Sequence, residues 1–200
     1  KYIKNGKNNL VKNDALLKNL HSTKFKIDSC NLKKWEIAKK SHNIFEYIYT
    51  SSNTNKNMCQ IIPISRSYFK LLEILYTFNF FKQDCYISCI AEGPGGFIQC
   101  LHDTYNKNNI NIKNINGITL ISNDKSVPYW NNIILNNNNN NICYCSDNSG
   151  DIYSIDNANE YINSHKVKCY LVTSDGGFDF SQNYNNQELS SINLLFSEVY

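Results

Sequence analysis

Ala91-Glu92-Gly93-Pro94-Gly95-Gly96-Phe97 constrains this chain more than any other stretch. It follows a mostly apolar run, Cys85-Tyr86-Ile87-Ser88-Cys89-Ile90, and precedes a segment of helical pattern from Phe97 to about Tyr105. A strand that breaks into glycines and re-enters as a helix is the layout of a ligand-binding βα turn. Glycines there let backbone N–H groups come close to a ligand, and the helix N-terminus behind them favours a negative group. Taken alone, the seven residues fit a binding turn or an ordinary one, because glycine and proline punctuate every fold.

The rest of the chain gives the turn a setting. Tyr68, Leu71, Leu72 and Leu75 fall at helical spacing, with Arg66, Lys70 and Glu73 on another face and Ser65 placed to cap the helix. After the glycine turn and a polar linker, Asn116 to Ile121 reads as a second strand and Asp124 to Trp130 as a loop. Asn132–Leu135 is short and apolar, and the run Asn136 to Asn141 reads as a polar surface loop. Ile142 to Cys145 reads as a third strand, Asp156 to Ser164 as a helix, and Lys168 to Asp175 as the clearest strand. Gln187 to Tyr200 is patterned as a closing amphipathic helix. Strands alternating with helices predict an α/β fold with a Rossmann-like, doubly wound, mostly parallel sheet. Ligands bind such sheets beyond the carboxyl ends of the strands. The 91–97 turn and Asp175 both fall there, and Asp151 is a third candidate.

Two hundred residues suit one such domain with a small appendage. Residues 1–60 carry 12 lysines against 4 acidic residues, whereas residues 61–200 carry 8 basic and 13 acidic. We therefore divide the chain into a basic, partly helical extension over 1–58 that packs on the domain, and a domain over 59–200. The basic third suits a polyanion such as RNA, or simply a solvated lysine face. The eight cysteines form no CxxC pair and the histidines no metal spacing, so no metal is expected and the thiols read as reduced core residues. That places the chain inside a cell, in a reducing compartment, nucleus or cytoplasm, or a viral factory if the source is a virus. No apolar run reaches about 18 residues, so no membrane partner is expected.

Several of these segments together resemble the FtsJ-like (RrmJ-type) RNA ribose 2′-O-methyltransferases, and within them the cap-specific enzymes of eukaryotes and large DNA viruses. The residues that carry the resemblance are Ser65 to Lys70, Ala91 to Phe97, Gly117 to Leu120, Gly150 to Ile152, Ser174 to Phe178, and Asn185 to Glu188. It covers residues 60–200. The resemblance implies S-adenosyl-L-methionine as cofactor and a Lys-Asp-Lys-Glu tetrad, whose first two members fall on Lys70 and Asp175. The second lysine, as base, and the glutamate belong beyond Tyr200. With the missing initiator methionine, this predicts a piece of a longer protein, incomplete for catalysis as it stands. The resemblance further implies that Glu92, Gly93, Pro94, Gly95, Gly96 and Phe97 receive the methionine part of the cofactor, and that Asp151 and Ile152 contact its adenine side. Asp124 is a candidate for its ribose. Ser65, Arg66, Asn185, Asn186 and Gln187 fall where cap or first-nucleotide contacts occur.

The expected activity is methyl transfer to a ribose 2′-OH of RNA, with capped mRNA as the preferred partner and no protein partner indicated. Two alternatives stay open. One is the same chemistry on ribosomal or transfer RNA. The other is a non-catalytic RNA- or cofactor-binding module that keeps the fold. A nicotinamide-dependent oxidoreductase is disfavoured, because the turn reads Gly-Pro-Gly-Gly and not G-x-G-x-x-G.

Overall fold

The structure is a computed structural model that describes residues 13–42, 48, 58–177 and 187–200. The chain divides into two compact units, Lys1–Ile62 and Pro63–Tyr200. Among the described residues, the first holds two helices, α1 (Asp14–Asp28) and α2 (Leu32–His42). Asn13 caps α1 by accepting a hydrogen bond from Leu16 N–H at 3.1 Å. α1 has no buried residue, so capping and propensity hold it rather than a packed face. Ile44, Phe45 and Tyr49, whose spacing continues the helical pattern of Leu32, Trp35 and Ile37 in the sequence, lie outside the described residues.

The second unit runs α3 (Ser67–Phe78), β1 (Cys85–Ile90), α4 (Gly96–Lys107), β2 (Ile112–Ile118), α5 (Asn132–Leu135), β3 (Asn140–Cys143), α6 (Ile155–Asn163), β4 (Leu171–Ser174) and α7 (Gln187–Val199). All four strands are parallel, in the order β3-β2-β1-β4. This is the expected α/β, Rossmann-like sheet. β1 and β2 lie in the middle, and their side chains Ile87, Cys89, Ile115 and Ile118 are fully buried. Tyr68, Leu71 and Leu75 of α3 and Ile98, Cys100, Leu101 and Tyr105 of α4 complete the main cluster. α6 is fastened by Tyr161, whose hydroxyl donates to Asn116 O at 3.1 Å and meets Ser88 Oγ at 2.7 Å.

Several boundaries differ from the sequence reading. α3 starts at Ser67 with Arg66 at the cap and no side-chain cap bond, while Ser65 Oγ meets Ser67 Oγ at 2.5 Å instead. β2 begins at Ile112, inside what read as linker, because its backbone pairs with β1 from Cys85 onward whatever its lysine and asparagine side chains do. β3 begins at Asn140, so the asparagine run ends in a strand rather than a surface loop. Asn140 and Asn141 pair with Ile115 and Asn116, and Asn141 Nδ2 donates to Asn116 Oδ1 at 2.9 Å. β4 is shorter than its pattern, being confined to the four residues that find β1 partners.

Gly95, at the N-cap of α4, has φ of 112°, and a Cβ there would run into the Ile134 side chain. Backbone strain and overpacking therefore add, and Gly95→Ala should destabilise the fold by about 2–4 kcal/mol. Urea unfolding should show a lower midpoint with an unchanged slope.

Candidate functional site

The register sets the carboxyl ends of the strands at one level. Ile90 pairs with Ile118 and with Ser174, and Ile118 pairs with Cys143. The segments that follow these residues share one edge of the sheet. β1 lies between β2 and β4, so the chain winds outward in both directions from it. The crevice between β1 and β4 is a topological switch point, where open α/β sheets bind ligands. Ala91 to Phe97 leave β1 at that crevice, and Asp175 leaves β4 beside them.

Lys70 reaches the same place from α3. Its Nζ donates to Asp175 Oδ1 at 2.7 Å, across 105 positions of sequence. The Lys70 side chain is 65% exposed and that of Asp175 23%, so the pair stands open to solvent at the crevice. An exposed pair of this kind adds only about 0–1 kcal/mol to stability. Ile64 N–H donates to Gln99 Oε1 at 2.7 Å, which fastens the entry of α3 to α4. Gly96 lies so close to Ser65 and Ser67 that a Cβ would collide with both hydroxyls. Ser65 thus stands against the glycine turn, with Arg66 exposed next to it.

The turn differs from a phosphate cradle. Gly93 N–H donates to Thr119 Oγ1 at 3.0 Å, and Gly95 N–H donates to Glu92 O at 2.8 Å. Phe97 N–H donates to Glu92 Oε1 at 2.5 Å. These three amides are engaged within the protein, and a carboxyl stands where an anionic ligand of the helix would. Glu92 is 2% exposed and its Oε2 has no protein partner. Burial pushes its carboxyl up to about 8; bonds from the Phe97 and Ile98 amides pull it back, and the charge of Asp175 raises it further. A pyrophosphate would have to displace this buried acid, which argues against a dinucleotide.

The far wall is formed after β3. Asp147, Ser149 and Asp151 are gathered by Asn157, which is 4% exposed. Its Nδ2 donates to Asp147 Oδ2 at 2.9 Å, Ser149 Oγ at 3.0 Å and Asp151 O at 3.1 Å. Asp151 in turn accepts from Tyr153 N–H at 2.9 Å, and Ile152 packs on the cluster of Ile118, Cys145 and Tyr161. Asp124 accepts from Ser126 N–H at 2.8 Å, which lowers its pKa. Its loop closes on the turn through Asn131 N–H, which donates to Pro94 O at 3.0 Å. Asn185, Asn186 and Phe178 lie outside the described residues; Gln187 opens α7, and its side chain is likewise outside them.

Sequence reasoning gave no role to Thr119, Gln99, Asn157 or Glu198. Glu198 Oε1 is buried without a partner and lies against Gly176. Ser154 and Asn157 at capping distance were a usable signal, masked by the general abundance of asparagine. Among the described residues no group of three or more His, Cys, Asp or Glu side chains is placed to hold a metal. No described helix is long and apolar enough to cross a membrane.

A parallel sheet with a glycine turn and a Lys-Asp pair at its switch point is the architecture of an α/β ligand-binding protein. Residues 63–200 match the FtsJ-like methyltransferase family, and the chain belongs to it. Among solved structures it is similar to a Plasmodium falciparum protein described as a ribosomal RNA methyltransferase. The two share 23% identity over 68% of each chain, with a TM-score of 0.42. No curated protein matches the chain. FtsJ-like methyltransferases use S-adenosylmethionine and act on RNA.

Proposed function

We propose that this protein transfers a methyl group from S-adenosylmethionine to a ribose 2′-OH of RNA, at the first transcribed nucleotide of capped mRNA. The observation that carries the reading is the 2.7 Å pair of Lys70 and Asp175 at the switch point, beside the glycine turn. When bound, the cofactor supplies an electrophilic methyl on a cationic sulfonium. The chain's own groups suit that charge. Glu92 fills the α4 N-terminus with a carboxyl that a nearby cation would favour in its ionised form, and Asp175 offsets the charge of Lys70.

A ribose hydroxyl is a poor nucleophile until its proton is drawn away. Lys70 brings a cation held in place by Asp175, able to hold the hydroxyl and to stabilise negative charge that develops on its oxygen. Asp175 fixes that ammonium toward the crevice. Orientation of the two reactants supplies a further part of the rate. Asp151 and Ile152 form the adenine wall, with the Asp124 loop beside the ribose. Ser65 and Arg66, at the mouth of α3, are the RNA contacts, with Asn185 to Gln187 assigned to the cap side by the family resemblance. The reading of the cysteines as reduced core thiols puts this activity in a reducing compartment.

Two measurements on the full-length protein test this. Calorimetry should show S-adenosylmethionine binding, and no binding at millimolar cofactor would end the methyltransferase reading. Labelled methyl groups should then pass to short capped RNA in preference to the same RNA uncapped. Equal labelling would move the substrate to ribosomal or transfer RNA, and cofactor binding without transfer to any RNA would indicate a non-catalytic module.

A further inference from the structure

Thr119 is the first residue past β2 and is 6% exposed. It touches both halves of the candidate cofactor site. Its Oγ1 accepts the Gly93 N–H at 3.0 Å, at the head of the glycine turn. Its carbonyl lies directly against Gly150, at the head of the Asp151-Ile152 wall, so close that a Cβ on Gly150 would collide with it. Gly150 has φ of 56°, which a side chain would also resist. Two positions on, Ile121 N–H donates to Ser149 O at 2.6 Å, tying the same short segment to the same wall. The turn and the wall are otherwise products of different strands, β1 and β3, separated in the sheet by β2.

The geometry points to Thr119 as the positioning residue that fixes the distance between the methionine-side turn and the adenine-side wall. This rests on the reading that both segments hold S-adenosylmethionine. The ligand is long, and its two ends meet segments that share no strand. A fixed gap between them lets both ends bind at once, as a linker of matched length does for two linked sites. The hydroxyl is the essential group. Among the described residues it is the acceptor recorded for the Gly93 amide, and a part-buried amide left without an acceptor is unfavourable enough to move the turn.

The test compares S-adenosylmethionine binding by the full-length wild type, Thr119→Val and Thr119→Ser. Valine keeps the β-branched shape and removes the acceptor; serine keeps the acceptor. Thr119→Val should weaken binding by about tenfold, the effect expected of one part-buried donor that loses its acceptor. Thr119→Ser should restore it to within about twofold, and the Gly93 amide should exchange with solvent faster in the valine variant only. The assignment is overturned if Thr119→Val binds within about twofold of the wild type, or if Thr119→Ser binds as weakly as valine. Absence of binding by the wild type itself overturns the functional reading, and this assignment with it; the wild-type measurement keeps the two failures apart.

Discussion

Lys70→Ala should lower methyl transfer by the full-length protein by about a hundredfold to ten-thousandfold, while S-adenosylmethionine affinity should stay within about threefold of wild type. The structure separates these effects. Lys70 is mostly exposed and belongs to the face of α3 away from Tyr68, Leu71 and Leu75, so its removal opens no cavity. Its partner Asp175 is a partly exposed carboxylate whose pairing with an exposed ammonium contributes about 0–1 kcal/mol. On the proposed function, a side chain so dispensable to the fold, yet held at 2.7 Å across the mouth of the switch point, is placed to act in the chemistry there. Asp175→Asn should reduce transfer on a similar scale, because the amide no longer fixes the ammonium by charge. Unfolding midpoints of both variants should lie close to wild type. Single-turnover transfer, calorimetric cofactor binding and urea unfolding measure the three quantities. Wild-type transfer rates in Lys70→Ala would remove Lys70 from the mechanism.

What the sequence made legible follows from which interactions are local. β1 was visible because its apolar run is bounded on one side by glycines, and the helix after the turn because its period is regular. The start of β2 was not, since Ile112-Lys113-Asn114-Ile115-Asn116 has the composition of a linker. Its strand character comes from pairing with β1 on one side and β3 on the other. Asn140 and Asn141 are strand residues for the same reason. The site shows the same division. Lys70 and Asp175 could be singled out by resemblance, but a separation of 105 positions hides the hydrogen bond between them. Thr119 and Asn157 act through backbone groups of distant loops, and a side chain that serves a remote backbone leaves no spacing rule behind. Glu92 was visible as a residue beside the glycines. Its reach back to the amide of Phe97 depends on how the turn folds, which no motif of residue types records.

Glu92 also gives the fold a predictable dependence on pH. Its carboxyl titrates near 4.5 when unperturbed and near 8 when folded. Between those values the native state holds a proton that the unfolded chain has released. Stability from this group is therefore complete below pH 4.5 and is lost as pH rises through 8, at no more than about 1.4 kcal/mol per pH unit. Glu92→Gln keeps an oxygen for the Phe97 amide and cannot ionise. Urea unfolding from pH 6 to 9 should show the wild type losing stability and the glutamine variant holding nearly level, so that the variant is the more stable of the two at pH 9. Parallel profiles would show that another group governs the slope. A bound cation changes the outcome in a defined direction, because it favours ionised Glu92 and draws its pKa down toward the unfolded value. Saturating S-adenosylmethionine should therefore flatten the wild-type profile between pH 6 and 9 and leave that of Glu92→Gln as it was. S-adenosylhomocysteine, which lacks the sulfonium charge, should flatten it less. The difference between the two ligands measures how strongly the buried carboxylate and the charge beside the turn attract each other.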